Sequence, residues 1–300
     1  MARAPQLAAF DIDGTLLDPT GRIRPKVHRA IDALRASGTT VILATGRSPW
    51  DVAPIAADLG LTGPHVMVNG GTFSTPGDGQ VVWARRLAPD LVRDTIAFAR
   101  QFGTRPVVNF VHRQVIEGTP DGSIPADVSD FIRGPRLHMV DSLDEVAGHG
   151  PIRIYVPTGS ARHAAALTAA RERFGARASV IFSDEWGIEI MTPGTNKGEG
   201  VRLVAESMGF GRDDVAAFGD GANDLEMLAW AGRSAAMAPA PVPVRAVARV
   251  IVPSSADDGV VKAISRFFPS LDLGGGSDTS RRWLRQIDDD STTEQDEPAA

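Results

Sequence analysis

Four stretches of the 300-residue chain hold side chains whose types and spacing suit chemistry. The first is Asp11-Ile12-Asp13-Gly14-Thr15-Leu16-Leu17. Two carboxylates two positions apart share one side of an extended chain, and Gly14 lets the backbone turn sharply after them. Like charges this close repel, and a bound cation relieves the repulsion. An all-oxygen donor set of this kind suits Mg²⁺. An ordinary strand-to-helix turn also uses Asp, Gly and Thr, but here six specified positions coincide. The second stretch is Leu43-Ala44-Thr45-Gly46-Arg47. A Thr hydroxyl and loop amides at a strand end can hold a phosphoryl oxygen. Thr45 or Ser48 can equally cap a helix, and taken alone that is the simpler reading. The third is Thr195-Asn196-Lys197-Gly198-Glu199-Gly200. Lys197 falls at an expected helix start, where a cation gains nothing from the helix dipole. An anionic partner explains it, and a solvated lysine is the alternative. The fourth is Phe218-Gly219-Asp220-Gly221-Ala222-Asn223-Asp224-Leu225-Glu226-Met227. Asp220 ends a strand and Asp224 opens a helix, where an acidic group also suits the dipole. Gly219 and Gly221 imitate a dinucleotide fingerprint, but Asp224 occupies its third glycine position and would oppose a pyrophosphate.

Regular elements must bring these stretches together. Residues 6–10 read as a buried strand. Val27, Ala30, Ile31 and Leu34 recur at helical spacing between Pro25 and Gly38. Residues 40–44, 50–59 and 65–69 read as strand, helix and strand. This β-α-β-α-β order predicts a parallel sheet with helices on its faces, and ligands bind beyond the carboxyl ends of such strands. Pro76-Gly77-Asp78-Gly79 is a turn cluster after which 80–83 returns as a hairpin. Residues 84–186 read as an inserted α+β domain, with helices over 89–102 and 161–174 and strands at 106–111, 113–117, 152–156 and 179–183. From Ile188 the α/β rhythm resumes, with strands at 188–192, 214–218, 234–237 and 250–252 and helices over 197–208, 224–229 and 259–268. Residues 239–243 are a proline-dense connection. Gly274-Gly275-Gly276-Ser277 opens a linker-like tail whose composition predicts disorder, with one amphipathic turn available at Trp283, Leu284 and Ile287. The expected division is a discontinuous core, 1–83 and 187–271, a cap domain, 84–186, and an acidic tail, 272–300.

Composition excludes whole classes of function. The 31 basic and 37 acidic side chains give a net charge of −6. Residues 272–300 hold eight acidic and three basic groups, which places −5 of that charge in the tail and leaves about −1 on the rest. A nearly neutral body without a basic stripe argues against a nucleic-acid partner. Apolar residues make up 43%, enough for a folded protein and against disorder throughout. The absence of cysteine excludes disulfides, zinc ribbons, iron–sulfur clusters and thiol nucleophiles. The first residues hold too short an apolar run for a signal peptide, and there is no apolar stretch of about 18 residues to span a membrane. A cytoplasmic protein with no membrane contact is expected. The six histidines show no metal-ligand spacing, and GxSxG, HExxH and Walker A patterns are absent. Asn69-Gly70-Gly71 is a turn or a substrate contact, Arg47 a surface ion pair or a substrate contact, and Asp18 a turn residue.

As an ordered set, DxDGT, the Thr of ATGR, the Lys and GDxxND resemble the haloacid dehalogenase superfamily of phosphohydrolases. The likeness is greatest to its Cof-type subgroup, whose cap lies between the Thr and Lys motifs. It covers roughly residues 5–268, matches the cap only loosely and leaves out the tail. It implies an α/β fold: a doubly wound, Rossmann-like parallel sheet with an inserted α+β cap of type C2B. It implies a nucleophile at Asp11 that forms an aspartyl-phosphate, and a general acid and base at Asp13. Mg²⁺ would bind the Asp11 and Asp220 carboxylates and the Asp13 carbonyl. Thr45 and Lys197 would hold the transferring oxygens, with Gly46, Arg47 and Asn223 on the phosphate side. Asp224 would support the metal site or orient Lys197. The implied activity is hydrolysis of a small phosphorylated metabolite, a sugar phosphate first, with nucleotide and cofactor phosphates open. A phosphomutase using the same Asp pair and a non-catalytic metabolite-binding module are the alternatives. Specificity would come from the cap, whose residues carry no local motif. Nothing calls for more than a monomer or a weak homodimer.

Overall fold

The computed structural model describes residues 4–75, 80–119, 136–184 and 186–273. The turn cluster 76–79 and the expected amphipathic turn in the tail lie outside them. The chain opens with β1 (Leu7–Phe10), whose four side chains are all buried. In α1 (Pro25–Ala36) a proline sits in the first turn, where no helical hydrogen bond is lost, and Val27, Ala30, Ile31 and Leu34 are buried as their spacing predicts. Next come β2 (Thr40–Leu43), α2 (Pro49–Asp58), β3 (Val66–Met67), β4 (Thr72–Ser74) and β5 (Val81–Ala84). β5 returns antiparallel to β4, as the turn cluster predicts. A second group comprises α3 (Pro89–Gln101), β6 (Val107–Asn109), β7 (Gln114–Glu117), β8 (Leu137–Val140), β9 (Arg153–Pro157), α4 (Ser160–Phe174), β10 (Ser179–Asp184) and β11 (Gly187–Met191). The last comprises α5 (Lys197–Ser207), β12 (Val215–Gly219), α6 (Leu225–Trp230), β13 (Arg233–Met237), α7 (Val242–Val247), β14 (Val250–Val252) and α8 (Gly259–Phe267).

Five strands pair in the order β14-β13-β12-β1-β2, every neighbouring pair parallel. Successive side chains of β1 point to opposite faces, so Ala8 and Phe10 enter a core with α1 and α8 while Leu7 and Ala9 enter another with α5 and α6. Phe10 and Phe218 stack at 4.3 Å between ring centroids and join the two central strands. From β1 the chain crosses to β2 on one side, and from β12 it crosses to β13 on the other. Connections that diverge in this way leave a crevice between the carboxyl ends of the two strands. Asp11 and Asp220 stand at those two ends.

The other large sheet runs β10-β11-β9-β6-β7-β8, antiparallel except for the β7–β8 pair. Val92, Ile96, Ala170 and Phe174 of α3 and α4 cover one face, against Val108, Ile154, Val156, Ile188 and Ile190. The period of two sends Asn109, Arg153, Tyr155 and Glu189 to the opposite face. No helix among the described residues is long and apolar enough to cross a membrane.

Two expectations are corrected, and one strand is added. Residues 188–192 do not reopen the core: β11 pairs with β10 and β9 in the six-stranded sheet, and the core resumes with α5. A short apolar strand reads alike in either sheet, and here a tight hairpin joins it to its sequence neighbour. The proline-dense connection runs into a helix, α7, with a proline in its first turn, a position that tolerates it. β8 escapes the sequence reading because Leu-His-Met-Val is too short and mixed to show a period.

Candidate active site

The site is built on the loops that leave β1, β2 and β12 and on the first turn of α5. After β1, the Asp11 amide donates to the Phe218 carbonyl at 2.9 Å, which locks its loop to the neighbouring strand. Gly14 takes a left-handed backbone (φ 77°), and a Cβ there would collide with the Asp220 carboxylate. The Thr15 hydroxyl donates to Asp220 Oδ1 at 2.8 Å. Lys197 begins α5 behind Asn196, whose side chain caps the helix by accepting from the Glu199 amide at 2.7 Å. A Cβ at Gly198 would strike the Glu226 backbone at 2.6 Å, so glycine lets α5 come close to α6.

These constraints bury Lys197, 1% exposed, between two carboxylates. Its Nζ donates to Asp11 Oδ1 at 2.6 Å and to Asp224 Oδ1 at 2.7 Å. The lysine is therefore neither solvated nor idle. Burial alone works against its charge, but Asp11 and then Asp224 outweigh it and hold the ammonium well above the usual lysine range. Asp224 Oδ2 accepts from the Asp220 and Gly221 amides, both at 2.9 Å. Both Asp224 oxygens are thus engaged within the protein, one fixing Lys197 and the other the turn after β12.

Asp11, Asp220 and Asp224 each bring a carboxylate oxygen within 4.8 Å of the others. Burial, then Asp224, push Asp11 well above the ordinary range, with Lys197 pulling the other way. Burial pushes Asp220 up to about 6, against the Thr15 hydrogen bond and with a contribution from Asp224. Three carboxylates face one ammonium, so the cluster lacks positive charge. No described group donates to Asp11 Oδ2 or Asp220 Oδ2. A hard divalent cation such as Mg²⁺ fits this donor set.

The remaining predicted residues lie around this centre. Asp13 is engaged elsewhere than the other carboxylates: its side chain is 59% exposed and held by Arg47, Nε to Oδ2 at 2.8 Å and Nη2 to Oδ1 at 2.5 Å. Arg47 thus spans the β1 and β2 loops. Thr45, 1% exposed, does not cap α2, since Ser48 holds that position. The Thr45 hydroxyl accepts from the Arg47 amide at 3.1 Å, and its own amide donates to the Val66 carbonyl at 2.9 Å. Asn223 Nδ2 donates to Asn69 Oδ1 at 3.0 Å. Asn69 itself is fully buried with a left-handed backbone (φ 50°). Three participants have no sequence motif: Ser48, Arg153 and Glu189, the last two reaching in from the six-stranded sheet. In the sequence Ser48 reads only as a possible helix cap, and the sole signal of the other two is a lone charge inside a mostly apolar strand.

A family profile described as haloacid dehalogenase-like hydrolase matches residues 8–264. The chain is 28% identical over 270 residues to a chloroplastic endoribonuclease of Arabidopsis thaliana, a match that covers 86% of this chain and 45% of that protein. The chain therefore spans less than half the length of that relative. It is 27% identical over 276 residues to the 5-amino-6-(5-phospho-D-ribitylamino)uracil phosphatase of Bacillus subtilis, covering 89% of this chain and 99% of that protein. A solved structure described as a haloacid dehalogenase subclass IIB sugar phosphatase superposes with a TM-score of 0.73 at 22% identity, over 87% of this chain and 98% of that one. At that identity the likeness speaks for the fold: a doubly wound α/β core with an added cap sheet.

Proposed function

Because this chain belongs to the haloacid dehalogenase-like hydrolases, matched over residues 8–264, we propose that it is a phosphatase acting on small phosphorylated metabolites, a sugar phosphate first. The observation that carries this reading is the buried Lys197 ammonium wedged between Asp11 and Asp224, beside Asp220 at the mouth of the parallel sheet. A charged lysine at the carboxyl ends of β1 and β12 has a use if an anion arrives there.

In the proposed reaction an Asp11 oxygen attacks phosphorus, and the bond from phosphorus to the leaving oxygen breaks. Asp13 supplies the proton that the leaving alcohol needs. It then takes a proton from the water that attacks the aspartyl-phosphate, which frees inorganic phosphate and restores Asp11. Its exposed place beside Arg47 suits traffic with solvent, and letting go of the Arg47 fork is what frees it to act. Lys197 and Thr45 balance the charge on the transferring oxygens, and Asn223 adds a donor. Asp224 acts through its partners, aiming Lys197 and the 219–221 turn. Asp11, Asp220 and the Asp13 carbonyl would hold Mg²⁺, which when bound screens the two anions that must meet.

The test is phosphate release from a panel of sugar, nucleotide and cofactor phosphates with Mg²⁺, on wild type and Asp11→Asn. Wild type should release phosphate from at least one of them without a bisphosphate activator, which separates hydrolysis from mutase chemistry. The variant should be inactive. If it keeps a tenth of the activity, a deficit of only about 1.4 kcal/mol of barrier, Asp11 is not the nucleophile.

A further inference from the structure

One buried ion pair has no part in that chemistry. Arg153 on β9 and Glu189 on β11 share the face of the six-stranded sheet not covered by its helices, 9% and 4% exposed, with Nη1 and Oε1 3.0 Å apart. They are diagonal neighbours, since Glu189 stands opposite Tyr155, two residues on from Arg153. Two charges withdrawn from water are tolerated only when their other donors and acceptors are satisfied. Here Arg153 Nε has no hydrogen-bond partner among the described residues, and much of the remaining satisfaction comes from the loops of the parallel core.

Arg153 Nη1 also donates to the Gly46 carbonyl at 2.9 Å, and Nη2 reaches Ser48 Oγ at 3.4 Å and Asn109 Oδ1 at 3.3 Å. The other oxygen of Glu189, Oε2, accepts from Asn69 Nδ2 at 2.8 Å, and Asn69 Oδ1 in turn accepts from Asn223. One ion pair therefore touches both sides of the proposed phosphate pocket. Arg153 grips the Thr45-Gly46 loop directly, and Glu189 reaches Asn223 through the Asn69 amide. The two sides also meet each other, since a Cβ at Gly46 would lie 3.2 Å from the Asn69 amide.

We propose that Arg153 and Glu189 are positioning residues that set the 45–46 loop and the Asn223 amide for phosphoryl transfer only while the six-stranded sheet is docked on the core. The proposal rests on the phosphatase reading. The two loops are the parts that must be placed to a fraction of an ångström, and a shift of about 1 Å costs about a hundredfold in rate. Because the pair acts on the phosphoryl side, its effect is independent of the leaving group.

The test replaces both charges by apolar side chains of similar reach, Arg153→Met with Glu189→Met, a change that buried pairs often survive without loss of fold. Thermal melting is measured beside kcat and KM for the best substrate of the panel and for p-nitrophenyl phosphate, well below the melting temperature. The expected result is a near wild-type melt and a kcat lowered about a hundredfold for both substrates. A loss confined to the larger substrate would make the pair a leaving-group contact, and unchanged kcat would make it structural; either overturns the proposal. If the double variant does not fold, a cycle of Glu189→Gln and Asn223→Ala decides. The two residues do not touch, so independent effects multiply, whereas a relay through Asn69 makes the double variant little worse than the poorer single one. Multiplied losses overturn the proposal. A wild type silent on every substrate overturns the phosphatase reading itself, a result distinct from all of these.

Discussion

Replacing Lys197 by Met removes the only cation among the described residues that is paired with Asp11 and Asp224, while keeping most of the apolar stem. The Nζ contacts are 2.6 and 2.7 Å, and at an effective dielectric of about 20 each corresponds to about 6 kcal/mol of attraction. Desolvation of the buried charges offsets much of this, and removal of one partner from a buried pair has a net cost of about 3–5 kcal/mol. That is the loss of unfolding free energy expected for Lys197→Met near ~pH 7.5 in chelator, read from urea titrations followed by tryptophan fluorescence. The pH dependence has a definite sign. Asp11 already lies above its ordinary range with the lysine present, and rises further without it. A carboxyl raised on folding favours the folded state below its unfolded value, and that contribution disappears as pH climbs through the folded value. The variant should therefore regain stability on acidification and lose it toward alkaline pH more steeply than wild type. Mg²⁺ should return part of the loss at neutral pH by supplying charge from the other side. Turnover should fall by at least about a hundredfold, as when one preorganised charge partner is removed. A variant with wild-type stability in chelator would refute the view of Lys197 as the counter-charge that the carboxylates require.

Two further outcomes are expected. Asp220, pushed up to about 6 from 3.8, contributes stability that is lost as pH rises through about 6, so chelated protein should melt higher near ~pH 5 than near ~pH 7 and Mg²⁺ should flatten the difference; the same slope in Asp220→Asn would show that another group is responsible. Gly14→Ala forces a side chain onto the Asp220 carboxylate from a left-handed backbone, and should raise the half-saturating Mg²⁺ concentration for activity by about tenfold or more, with an unchanged Mg²⁺ titration counting against Asp220 as a ligand.

Much of this protein is legible along the chain because the relevant physics is local. Strand, turn and glycine fall within a few residues of each other at Asp11 to Gly14 and at Asp220 to Asn223, so both loops can be read as stations at strand ends. The helical spacing of Val27, Ala30, Ile31 and Leu34 and the β-α-β order suffice to predict a parallel sheet. Even the odd lysine at a helix start points to an anionic partner before the partners are seen. Other features depend on meetings between residues remote in sequence. Which sheet takes β11 is a matter of its hairpin with β10, and a short, mostly apolar strand looks the same in either. That Asp13 pairs with Arg47, and that Asp224 uses both oxygens inside the protein, follow from the packing of separate loops. Arg153 and Glu189 are the clearest case. Each stands alone as a charge in a short strand with no motif around it, and only the docking of that sheet on the loops of the parallel core makes its face a dry interface where the two charges meet. Periodicity reports which face a side chain shares, whereas its surroundings are set by whatever tertiary structure places opposite that face.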